Sequence, residues 1–124
     1  MHQNQLISYL SNKMDFQNWK PYLQEELNFY KIGLKKLGSS IPIRYDGDNE
    51  KVFIGEIEVK KLCSDFSHGV IDEYFIGYIA DALLLSENSV FESEEIKDKF
   101  ETFSEIIVRQ DIKAEYFFQL LCSK

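Results

Sequence analysis

"VIDEYFIGYIADALLL", residues 70–85, is the stretch whose reading decides the fold. On a helical wheel Ile71, Tyr74, Phe75, Tyr78, Ile79 and Ala82 form one broad stripe, while Ile76, Ala80 and Leu84 lie away from it. A helix that is apolar on most sides belongs in the middle of a domain. At the usual rise it is roughly 24 Å long, enough to cross a small domain. It is shorter than a membrane span and carries Asp72, Glu73 and Asp81. The rest of the chain is expected to pack around it.

Working outward, Trp19, Leu23, Leu27, Tyr30, Leu34 and Leu37 recur at steps of three and four and predict a helix over 19–37. Asn18 is placed as its N-cap, Pro21 in its first turn and Gly38 at its end. Tyr22 and Phe29 lie on a second, aromatic face of that helix. Residues 3–13 predict a short helix through Leu6, Leu10 and Met14, with Tyr9 beside them. The period then changes to two in "IPIRY" (41–45) and "KVFIGEIEV" (51–59), which flank the turn-like "DGDNE" (46–50). This predicts a β-hairpin over 41–54. From Glu56 to Phe66 a helix competes with the strand, through Val59, Leu62, Cys63 and Phe66. "SENS" (86–89) breaks the central helix; Ser89 with Glu92 has capping-box spacing, and Ser93 competes as N-cap. A last helix starts near Asp111 and is expected to bury Ile112, Tyr116, Phe117 and Leu120. The expected fold is mainly α: one domain over 1–124, five or six helices around 70–85, with α+β as the alternative.

The 124 residues suit one domain with a real core. Hydrophobic residues at 44% and aromatics at 15% exclude a disordered chain. Only Cys63 and Cys122 are present, and "MHQNQLISYLSNK" has no export pattern, so reduced thiols and a cytoplasmic location are expected. The net charge of −7 is uneven: residues 1–61 carry eight acidic and nine basic side chains, residues 62–124 thirteen and five. Such a surface repels nucleic acid and anionic membrane and attracts basic proteins.

The acid is concentrated in "SEEIKDKFETFSEIIV" (93–108). As a helix, it places Ile96, Phe100, Phe103 and Ile107 on one seam and Glu94, Asp98, Glu101 and Glu105 on the opposite edge. Lys97 and Lys99 fall on the flanks. Each like-charge neighbour at i,i+3 or i,i+4 destabilises the isolated helix by roughly 0.2–0.5 kcal/mol. The helix dipole accounts for Glu94 and Glu95 near the N-terminus but not for Glu101 and Glu105. The row is read either as a solvated helix face that happens to be acidic or as an acidic edge aimed at a basic partner, and Glu87, Glu92 and Glu95 add charge nearby.

Chemistry is hard to find. In "CSDFSHG" (63–69), Cys63, Asp65 and His68 are the right types for a nucleophile, an orienter and a base. On a helix Cys63 and His68 point about 140° apart, so they do not converge. Two histidines and two cysteines lack zinc-site spacing, "DGDNE" departs from the calcium loop, and no glycine pattern suits a phosphate. No enzyme activity, cofactor or metal is expected.

A small, acidic, aromatic-rich helical domain without chemistry resembles the immunity proteins of bacterial toxin systems, including contact-dependent growth inhibition. The resemblance covers the whole chain in size and charge and rests on no motif. It is similar to the colicin-nuclease immunity proteins in acidic helical character but lacks their sequence pattern. The resemblance implies a cognate toxin as partner, basic and with nuclease activity, bound through an acidic surface. The alternatives are another acidic inhibitor or DNA mimic, or a small-molecule-binding domain whose tyrosines, Tyr74 and Tyr78, line a pocket.

Overall fold

In the computed structural model the stretch quoted first is a helix whose residues Phe75 to Ala80, Ala82 and Leu83 are all buried. The structure describes residues 1–34, 43, 45–47, 50–108 and 114–122, and of residues 114, 115, 117 and 118 the backbone alone. Along these run α1 (Gln3–Leu10), α2 (Phe16–Leu34), β1 (Val52–Ile54), α3 (Glu56–Ser67), α4 (Glu73–Leu85), β2 (Ser89–Phe91), α5 (Glu94–Ile106) and α6 (Ala114–Cys122). The fold is mainly α, as the periodicities imply.

α4 starts where Asp72 accepts the Phe75 N–H at 3.0 Å, which satisfies one of the free donors of the first turn. α2 packs on it through Trp19, Leu23, Leu27, Tyr30 and Leu34, and α5 through Phe100 and Phe103. The densest part of the core is aromatic: Phe75 meets Tyr9, Phe16 and Trp19 edge-on at ring-centroid distances of 5.8, 4.7 and 5.5 Å. Two hydrogen bonds anchor the cluster, Tyr9 to Asp65 at 2.6 Å and Trp19 to Gln5 at 3.1 Å.

The sheet corrects the expected hairpin. β1 exists, but its partner is β2, in parallel, with Val52, Phe53 and Ile54 opposite Ser89, Val90 and Phe91. Parallel strands need a long crossover, and α3 and α4 supply it. Alternation along 51–54 shows that a strand is half-buried and leaves its partner open. Ile43 and Tyr45 are not in a strand, and residues 41, 42 and 44 lie outside the described residues. Asp46 forms an isolated parallel bridge with His2, donating to the Met1 carbonyl and accepting from the Gln3 N–H, both at 2.8 Å.

Other boundaries shift as well. Residues 56–66 are helical. α2 begins at Phe16, so Asn18 is inside the helix and does not cap it, and Pro21 falls beyond the first turn. Pro21 is exposed, and water can satisfy the carbonyl that it leaves without a donor. Leu37 and Gly38 lie outside the described residues. Ser89 is in β2 and donates to the Leu83 carbonyl, so Ser93 alone caps α5. Among the described side chains of α6, Leu121 is buried and Leu120 partly buried against the core, while Tyr116 is 48% exposed. Ile112 and the Phe117 side chain lie outside the described residues.

Candidate functional site

α5 is built as its periodicity requires. Ser93 Oγ accepts the Ile96 N–H at 3.2 Å and starts the helix. Ile96, Phe100, Phe103, Ile106 and Ile107 are buried. The opposite edge carries Glu94, Asp98, Glu101 and Glu105, all exposed. Lys97 lies 4.0 Å from Glu101 on this edge and is half-exposed like it. A pair so exposed contributes little. The row remains a line of charge in water.

The three added acids behave differently. Glu87 is exposed between α4 and β2. Glu95 is at the rim of a hollow of about 480 Å³ between α3, α5 and α6, beside Glu56, Lys60 and Lys99, where both signs of charge meet. Glu92 is engaged within the fold: its Oε2 accepts the Glu56 N–H at 2.9 Å and caps α3 from across the sheet. Gly55 precedes α3 and has no side chain to cap it. A Cβ there would lie 2.8 Å from the Glu92 carboxylate and 2.9 Å from the Phe53 ring. Glycine at 55 and glutamate at 92 therefore act as one device. Glu92→Ala should cost about 1 kcal/mol, the usual loss of a cap. Urea denaturation checks this, and an unchanged midpoint would mean that water replaces the carboxylate without loss.

A further carboxylate lies under α5. Asp81 accepts hydrogen bonds from Ser104 Oγ and from Tyr30 OH, the latter at 3.3 Å. Burial raises its pKa, although both hydrogen bonds pull the other way. Burial, reinforced by Asp81, raises the Tyr30 phenol in turn. Because the folded state holds the Asp81 proton more tightly than the unfolded chain does, this group favours folding at acid pH. That contribution is lost as pH rises through the folded pKa. Asp81→Asn should therefore stabilise the protein at neutral pH, with a gain that shrinks as pH falls through the ordinary carboxylate range. Denaturation midpoints of both proteins at neutral pH and near pH 4 read the difference. A gain that does not change with pH would rule out this account.

The triad-like residues of 63–69 are drawn apart. Asp65 takes the Tyr9 hydroxyl and the Lys61 ammonium, the latter at 3.2 Å. His68 is the C-cap of α3, its Nδ1 2.7 Å from the Ser64 carbonyl, and Gly69 follows at φ +72°, a left-handed conformation that favours glycine. Cys63 is bonded to Cys122, with Cα atoms 5.5 Å apart, which joins α3 to α6. The expected reduced thiols are thus corrected: the packing of α6 on α3 brings together cysteines that are 59 residues apart in the chain. Among the described residues no three His, Cys, Asp or Glu side chains form a metal-ligand set, and no helix is long and apolar enough to cross a membrane.

The tyrosines named as pocket candidates divide. Tyr74 is half-buried beneath Lys31, whose Nζ is 5.3 Å from the ring centroid. Tyr78 is buried and donates to Glu26 at 2.8 Å, at the floor of a groove of about 470 Å³ over the outer face of α2. Tyr22, Glu25, Glu26 and Phe29 line the groove from α2, with Ile43 and Asp46 among the residues around it. The spacing of those four residues, i, i+3, i+4 and i+7, was the available signal. It is easily missed beside the stronger seam through Trp19 and Leu23. Comparison with protein-family models, curated proteins and solved structures finds no match for this chain.

Proposed function

We propose that the chain is a non-catalytic binding protein of the immunity type, which neutralises a cognate basic toxin, a nuclease, through the outer edge of α5. The observation that supports this reading is the exposed row Glu94, Asp98, Glu101 and Glu105, whose neighbours along the helix carry like charge and in which Glu101 has a weak, half-exposed pairing with Lys97. Lysine at 98 or 101 would relieve the repulsion, and a face that only meets water has no reason to avoid it. A nuclease is basic because it grips phosphates, and an inhibitor that presents negative charge gains association rate against it. The proposed setting is the cytoplasm, where a nuclease meets its substrate, although a disulfide such as Cys63–Cys122 is rare in that reducing compartment. Neither cysteine belongs to the α5 edge.

The test is the double variant Asp98→Lys with Glu101→Lys, coexpressed with the toxic product of a neighbouring gene. The free variant should be at least as stable as wild type. Its association with the toxin should be slower by about tenfold to a hundredfold, with loss of protection. Added salt should slow wild-type association in the same direction. Unchanged protection by the variant would reduce the row to ordinary surface.

A further inference from the structure

We propose that the groove over the outer face of α2 binds a small organic cation, an alkylammonium or guanidinium on an apolar stem. The inference uses no residue of α5 and is independent of the function proposed above. Its volume of about 470 Å³ is within the range of small-molecule sites. Its aromatic walls are in water: Tyr22 is 74% and Phe29 63% exposed. Single exposed rings need no explanation, but Tyr22 and Phe29, seven residues and about two turns apart on α2, both line one cavity. The negative face of an aromatic ring attracts a cation and gives an anion no advantage.

The charges between the rings agree with this. Glu25 and Glu26 lie between Tyr22 and Phe29 on α2, and Asp46 approaches from the loop. Glu26 is held in place by the Tyr78 hydroxyl, and the same carboxylate pairs with the Met1 ammonium at 2.6 Å. Among the described residues no cation pairs with Glu25 or Asp46. A cation with a short apolar stem would place its charge beside Glu25 and Asp46 and its methylenes against one of the rings. A neutral ligand would displace water from the carboxylates and return nothing, and an anion would be repelled.

Two-dimensional NMR titration with agmatine and with tetramethylammonium tests the proposal, with tert-butanol as the neutral control. Saturable shifts confined to the amides around Tyr22, Glu25, Phe29 and Asp46 are expected, with a dissociation constant of about 1 mM or tighter. Phe29→Ala should weaken binding about tenfold, as should Glu25→Gln at low salt. Both side chains are exposed, so thermal melts of the two variants should match wild type and separate lost binding from lost folding. Equal response to tert-butanol, or no saturation by either cation, overturns the proposal. So does saturation by an arginine-containing peptide alone, which would assign the groove to a protein side chain.

Discussion

Phe75→Ala should lower folding stability by about 3–5 kcal/mol, the range for removing a large ring from a closed core. The ring is 1% exposed and touches three other aromatic rings, so the change removes both burial and edge-to-face contacts. Each such aromatic pair is worth about 0.5–1.5 kcal/mol beyond the area it buries. The size of the loss depends on whether the cavity can collapse. Here it cannot do so cheaply: Asp65 holds Tyr9, Gln5 holds Trp19, and both hydrogen bonds would have to stretch. Urea denaturation gives the answer. A loss under about 1 kcal/mol would show that α4 is not the element on which the core is built.

Opening the Cys63–Cys122 bond should cost a similar amount. Its 59-residue separation corresponds to about 4 kcal/mol of loop-closure entropy removed from the unfolded chain. Cys63→Ser, Cys122→Ser and the double variant should lose the same stability, since each removes one and the same link. Wild type with excess reductant should coincide with all three. The native protein without reductant should not react with a thiol label. If each single variant loses much more than the double variant, the loss comes from burying a lone thiol and the link itself contributes little.

The sequence's legibility varied with the range over which each feature is decided. Local periodicity was enough for α4 and α5, because the burial of Phe75, Ile79, Phe100 and Phe103 follows from spacing on a single helix. It was not enough for β1. The alternation of Val52, Phe53 and Ile54 is a property of one strand, whereas the partner at 89–91 is set by how α3 and α4 return the chain. "SVF" was too short to stand out and was overshadowed by the capping signal of Ser89. The α5 edge could be read because i,i+4 neighbours are local. The commitment of Glu92 to the Glu56 N–H could not, because it crosses 36 residues. The groove fell between the two: its α2 face was legible at Tyr22 and Phe29, while Tyr78 and Asp46 come from elsewhere in the chain.

The β1–β2 pairing also bears on the order in which the molecule assembles. Two parallel strands joined through α3 and α4 have no tight turn to bring them together, and three residue pairs repay little of the entropy of closing so long a loop. Docking of α3 and α4 brings the strand ends together, so the three-residue ladder is expected to close after those helices have packed. Closure of the ladder also delivers Glu92 to the start of α3, so the strand pairing and the cap of that helix are completed together. In kinetic terms, Val52 and Val90 belong on the native side of the folding barrier. Weakening them should speed unfolding and leave the folding rate nearly untouched.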